Sequence, residues 1–463
     1  MVLLERTGSG SRLVASRSTH GRRGSPIAMI RPFSSTAGIA AVCGALAASS
    51  VLAQEPAGMR RVSLEEAIRL ALERSPASVS SQSAIRFAEA DVLESRGAWF
   101  PSLFASSSFS NSSNERFDQS TGRLVSESYT AQLQAGYDLF TGGRRWNERR
   151  RASAELRAAV ADDRAQRFET ILTTTELFYE AAATAQIVEA ASQRLERARR
   201  QLEFAETRLR VGTATRSDVL RAELEVGNSE IALIDAETAE RSSRLELGRQ
   251  IGFEEGAEPA GDALPESAPE LPPTESLVAW ATGRAPEVVA ATAGLDAARA
   301  TRWAAMGTYL PTLRATGGYD WFAFDFPPDQ RSWSLRVSAA FPLFDNFGRE
   351  AEVARAAAAQ RLAEAEARDA TIGVRVEVEN ATREVEAAGR REDIARRAVD
   401  LAREDLRVQE ERYRIGGATI LELQTSQVAL ADAEIAWVRA RQGLGVAVAQ
   451  LESVLGASLE EVR

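Results

Sequence analysis

Two carboxylates occupy matched places in this sequence. Asp218 and Glu422 lie 204 residues apart, each six residues beyond a glycine, Gly212 or Gly416. Each is also three residues beyond a threonine, Thr215 or Thr419. Arg216 stands two residues before the first acid, and Tyr413 three residues before the second glycine. Acids so placed have two uses. They can ring a pore, favouring cations over anions. They can also complete a capping box, Thr-x-x-Asp or Thr-x-x-Glu, at the start of a helix. Catalysis has little to work with. The only His, His20, and the only Cys, Cys43, both fall in the first 53 residues. We find no Gly-rich phosphate loop, nucleophile elbow or metal-ligand cluster. The expectation is no enzyme, no catalytic residues, no cofactor and no metal.

The acids sit in a turn written twice. The first copy reads Arg208-Leu209-Arg210-Val211-Gly212-Thr213-Ala214-Thr215, and the second Arg412-Tyr413-Arg414-Ile415-Gly416-Gly417-Ala418-Thr419. The glycine suits the left-handed residue that ends a helix. The threonine opens the next helix, and the preceding arginines suit the negative end of the outgoing helix dipole. The pattern predicts two helical hairpins, with tips at Val211, Gly212, Thr213 and Thr215 and at Ile415, Gly416, Gly417 and Thr419. The arms are long. Helical patterning without proline runs from about Arg144 to Arg210 and from about Arg349 to Arg414, so each arm is roughly 100 Å. Seven-residue spacing marks their seams, as in Ala191, Leu195, Ala198, Leu202 and Ala205, and in Leu423, Ser426, Leu430, Ala433 and Trp437.

The whole plan is duplicated. Ser75-Pro76 matches Ala285-Pro286, Leu139-Phe140 matches Leu343-Phe344, and Ile251-Gly252 matches Leu455-Gly456. The expected division is a first repeat over 54–256, a Pro-rich linker over 257–273 and a second repeat over 274–463. In each repeat the period changes from helical to two before the long arm. Trp333, Leu335, Val337 and Ala339 alternate with Ser334, Arg336 and Ser338; Leu133, Ala135, Tyr137 and Leu139 alternate with Gln132, Gln134 and Asp138. These segments read as two β-hairpins, hence four strands.

Residues 1–53 read as a signal peptide, with a positive start at Arg31, a short apolar stretch from Ile39 to Leu46, and Val51-Leu52-Ala53 before a cleavage site. A start at Met29 would give a signal of ordinary length, and Cys43 is an alternative lipoprotein acceptor. The first 53 residues carry six Arg and one Glu, so a formal net charge of -10 leaves -15 for the rest, a poor match for nucleic acid. No later apolar run approaches ~20 residues, so no membrane-spanning helix is expected.

Alternating strands suit either a soluble sheet or a transmembrane barrel. Aromatics near the strand ends, including Phe109, Trp321, Phe322 and Trp333, favour the barrel. Four strands cannot close, and lipid forbids open edges, so a barrel demands several chains.

On these residues the sequence resembles the TolC-type outer membrane efflux protein family. The most specific stretches are Tyr413-x-x-Gly416-x5-Glu422-Leu423 and Val211-Gly212-x5-Asp218-Val219-Leu220. The resemblance implies an internally duplicated α+β membrane protein with four transmembrane β-strands per chain. Three chains would share one β-barrel of about 12 strands above a long α-helical, coiled-coil barrel. It implies a homotrimer in the outer membrane of a Gram-negative bacterium, in contact with its lipid and extending into the periplasm. A periplasmic adaptor and an inner-membrane transporter of RND, ABC or MFS type are the implied partners, with no nucleic acid. The implied function is the outer membrane channel of a tripartite efflux system; type I protein secretion is the alternative use, and a soluble periplasmic coiled-coil scaffold or adaptor the rival class. In the family an acid at the place of Glu422 faces the pore constriction, and Tyr413 matches a position linked to the closed state. Asp218, the matching acid of the first copy, and Arg216, a substitute partner for an acid, complete the candidates for the constriction. The resemblance further implies that the hairpin tips dock the adaptor. Ala418 and Thr425 depart from the family, which often has Arg at the first place and in some members an acid at the second.

Overall fold

The computed structural model describes residues 60–118, 122–261 and 264–462. The expected signal segment, with His20, Met29 and Cys43, lies outside the described residues. The first repeat runs β1 (Arg60–Val62), α1 (Leu64–Arg74), α2 (Pro76–Gly97), β2 (Ser102–Asp118), β3 (Arg123–Thr141), α3 (Arg144–Arg210) and α4 (Arg216–Ile251). After β4 (Ala257–Pro259) come α5 (Thr274–Arg284), α6 (Pro286–Met306), β5 (Thr312–Ala323), β6 (Gln330–Ala340), α7 (Gly348–Arg414), α8 (Ile420–Leu455) and a short α9 (Leu459–Val462). Helices α3 and α7 each have 67 residues, and α4 and α8 each have 36. Equal lengths follow from equal punctuation. A glycine stops each long arm, and a threonine capping box starts each return helix.

Small residues let the arms approach closely. The buried stripe of α4, which packs chiefly on α3, is Ala222, Ser229, Ala236 and Ser243 at seven-residue spacing. The buried stripe of α7 is larger: Val378, Val385, Glu392, Val399, Leu406 and Tyr413. Two residues further on is about 200° round a helix, so the next stripes face away. Those stripes are apolar and exposed: Leu224, Ile231 and Leu245 on α4, and Ile394, Leu401, Val408 and Ile415 beside and beyond them on α7 and its turn. Among the described residues, nothing in the chain covers them.

Midway along the arms, α1 and α5 play corresponding parts. Leu70 and Val62 pack with Phe178, Leu247 and Ile251, while Leu277 packs with Val378, Leu444, Leu451 and Leu455. Each fully buried side chain of this size contributes about 1.5–3 kcal/mol. The start of the Pro-rich linker holds a strand that the sequence pattern did not show: β4 pairs in parallel with β1, Arg60 opposite Ala257. A three-residue strand is too short to carry a period. Further along the linker, Arg441 of α8 donates to the carbonyl oxygens of Leu264 and Pro265 and ties it to the helices.

Strands β2, β3, β5 and β6 form one antiparallel sheet in that order, leaving β2 and β6 as open edges. The register puts Ala135 opposite both Leu103 and Gly317, and Tyr319 opposite both Leu133 and Trp333, so these share a face. On the edge strand, Trp333 is 75%, Leu335 70% and Val337 64% exposed. The other face carries Ser106, Ser108, Gln132, Gln134, Thr316 and Ser334, with Arg314 paired to Asp138 at 3.6 Å. An arginine braces the start of each arm, and the first of the two reaches the sheet. Arg145 donates to the carbonyl oxygens of Ala98 and Asp138 and lies over Trp99; Arg349, its duplicate, pairs with Asp345 and lies over Tyr309.

Candidate functional site

The two turns meet at one end of the arms. Gly212 has φ +76° and Gly416 φ +82°, the left-handed region each turn requires. The Thr213 N–H donates to Arg208 O at 2.8 Å, and the Gly417 N–H to Arg412 O at 2.7 Å, so both outgoing helices close with the same Schellman bond. The flanking arginines join in. Arg208 Nη2 donates to Thr213 O, and Arg412 Nη2 to Gly417 O. Both capping boxes are complete. Asp218 Oδ2 accepts from the Thr215 N–H and Oγ1, each at 2.8 Å, and the Asp218 N–H donates back to Thr215 Oγ1. Glu422 Oε2 accepts from the Thr419 N–H at 2.6 Å and from its Oγ1 at 2.9 Å. These bonds favour the ionised acids. The Thr215 N–H is the main cause holding Asp218 below the usual aspartate range, with its hydroxyl, Arg221 and Arg208 adding to it. The Thr419 N–H does the same for Glu422, with the Thr419 hydroxyl and Arg412 following.

The structure brings some candidates together and leaves others apart. Tyr413 is buried in a cluster with Ala205, Ala222, Leu406, Ile420 and Leu423, which joins α3, α4, α7 and α8. Arg208 lies over its ring at 5.1 Å and donates to Tyr413 O at 3.2 Å. Gln424 donates to Arg221 O, a second bond between the copies. The arginine beside an acid is Arg412, 3.9 Å from Glu422; Arg216 is an exposed residue in the first turn of α4. Ala418 packs against the Tyr413 cluster, and Thr425 Oγ1 donates to Leu421 O of its own helix. Val211 is 69% and Ile415 79% exposed, so the extreme tips are apolar. Sequence reasoning missed Arg208. The only local signal was an arginine on the last turn, whose dipole role gives no hint of a partner 205 residues away.

Known proteins share this fold. The outer membrane efflux protein family profile matches residues 67–252 and 277–457. Protein CyaE of Bordetella pertussis is 30% identical over 302 residues, covering 62% of this chain, and the match spans 61% of that protein's length. The pyoverdine export outer membrane protein OpmQ of Pseudomonas putida is 24% identical over 339 residues, 69% of each chain. The crystal structure of the outer membrane protein VceC of Vibrio cholerae superposes with a TM-score of 0.74 at 20% identity, covering 86% of this chain and 96% of that one. The chain is therefore an outer membrane protein and belongs to the outer membrane efflux protein family.

Proposed function

We propose that this protein is the outer membrane channel of a tripartite efflux system and passively conducts exported solutes across the periplasm and outer membrane. One observation carries the reading: the chain is unfinished at the edges of its sheet and along the exposed stripes of its helices. The sheet has two open edges and an exposed apolar face, which only lipid and further strands would satisfy. The exposed stripes of α4 and α7 both repeat at multiples of seven residues, so α4 of one copy can pack on α7 of the next. Repeated around an axis, three copies give a barrel of about 12 strands above a tube of paired helices. Such a trimer works with a periplasmic adaptor, met at the hairpin tips, and with an inner-membrane transporter of RND, ABC or MFS type. One relative, at 24% identity, is named for the export of a small solute, pyoverdine.

In this reading Asp218 and Glu422 are caps that also present negative charge to the narrowest part of the tube. The test is a membrane fraction extracted in detergent, its mass measured and its conductance recorded in a planar bilayer. A trimer with a defined conductance is expected; a detergent-free monomer without conductance would sink the proposal. For the acids, Asp218→Asn with Glu422→Gln should lower the preference for cations while the trimer stays folded. Unchanged selectivity would leave them as caps alone.

A further inference from the structure

The first turns of α3 and the last turns of α6 enclose a groove of about 590 Å³, lined among others by Trp146, Arg149, Arg150, Arg157, Arg299 and Trp303. Trp146 is 51% and Trp303 59% exposed, unusual for tryptophans beside a cavity. The charges do not balance. Asp296 takes both Arg157, at 2.9 Å, and Arg299, at 3.4 Å. Neither Arg149 nor Arg150 has an ion pair among the described residues, and Arg150 lies over the Trp146 ring at 5.4 Å. Four guanidiniums thus face one carboxylate in a chain of net charge -10.

The fold does not require these residues. The duplicate positions on α7 hold Glu350, Val353, Ala354 and Ala357 where α3 has Trp146, Arg149, Arg150 and Ser153. Both helices are 67 residues long and enter from the same sheet. The chemistry belongs to the first copy alone, so packing at this junction does not explain it. Nor does a second copy of the chain, because both walls of the groove come from one protomer, away from the open stripes of α4 and α7.

Its level is telling. At the junction of sheet and helices, Phe100 is 73%, Leu343 86%, Phe344 69% and Phe347 67% exposed, an apolar rim suited to the edge of the hydrocarbon. Strand β3 ends at Thr141, so Trp146 and Arg150 lie roughly 8 and 14 Å further along the chain axis. A headgroup layer is about 5–8 Å deep. Trp146 falls in or at it, and the long side chains of Arg149 and Arg150 reach back toward it.

We propose that this groove binds a phospholipid with an anionic headgroup from the periplasm-facing leaflet of the outer membrane. The two unpaired guanidiniums take the phosphate oxygens in bidentate fashion, and the indoles cover the glycerol and upper acyl carbons. The inference rests on the outer membrane placement of the sheet. Native mass spectrometry of the detergent-extracted protein, with phosphatidylglycerol and phosphatidylcholine added in turn, tests it. The wild type should retain phosphatidylglycerol preferentially. Arg149→Ala with Arg150→Ala should lower that retention by about tenfold, and Trp303→Ala by less. Arg151→Ala should leave it unchanged: Arg151 is paired with Glu155 and sits about 140° round the helix from Trp146. Equal retention by the double variant, equal retention of the two lipids, or equally strong binding of inorganic phosphate alone would overturn the assignment. Conductance of the same variants, recorded in parallel, separates that result from failure of the channel reading itself.

Discussion

The two hairpin tips share a backbone and differ in what surrounds it. Each has a left-handed glycine, a Schellman bond and a complete capping box. In the second copy, position 413 is a tyrosine that is 6% exposed and sits at the centre of a four-helix cluster. Its duplicate, Leu209, is 38% exposed. The arginines differ in reach. Arg208 spans the copies to Tyr413, while Arg412 stays within its own turn and near Glu422. The turn chemistry was thus kept in both copies, while the packing around it diverged. A duplicated chain has one inside and one outside at each level, and equal sequences cannot fill both.

Substitutions at the paired positions sharpen this contrast. The largest expected effect is at the buried ring. Tyr413→Ala should destabilise by about 3–4 kcal/mol through the cavity it leaves, and Leu209→Ala by roughly 1 kcal/mol or less, read by guanidinium unfolding in detergent. Equal losses would mean that the asymmetry of burial has no energetic weight. Next come the arginines. Arg208→Ala should cost about 1–2 kcal/mol, since it loses a cation–π contact and bonds to two carbonyls. Arg412→Ala, at an exposed site, should cost under about 0.5 kcal/mol. Reversal of that order would remove Arg208 as the link between copies.

The smallest effect is a pH dependence that both tips share. Asp218 and Glu422 titrate below their ordinary values of 3.8 and 4.5 when folded. Their contribution is therefore complete above those values and is lost as pH falls through the lowered ones. Amide protection factors at the starts of α4 and α8, taken relative to the intrinsic exchange rate at each pH, should fall below about pH 4 in both copies. Asp218→Asn should flatten this response at the first tip only. A response confined to one tip in the wild type would show that the two caps are not equivalent.

Much of this was legible locally. Glycine needs no partner to adopt positive φ, and a threonine reaches its own N3 residue, so the turns and helix ends at Gly212, Thr215, Gly416 and Thr419 follow from sequence neighbours alone. Alternation marked the strand positions at 133–139 and 333–339 for the same reason, because the side-chain period is a backbone property. The short pair β1 and β4 escaped, as three residues carry no period. The arginine contacts made by Arg145, Arg208 and Arg349 escaped too, because a long flexible side chain does not announce its partner.

The sequence by itself determined where the long helices and their turns begin and end, and that the plan occurs twice, since these depend on steric and hydrogen-bonding preferences within a few residues. Only the tertiary structure decided which of two similar heptad stripes on α4 and α7 was buried, and that Arg208 crosses to Tyr413 rather than staying at home. It also decided that Trp146, Arg150 and Trp303 share one groove. Those outcomes depend on which distant surfaces meet, and spacing along a chain carries no information about that.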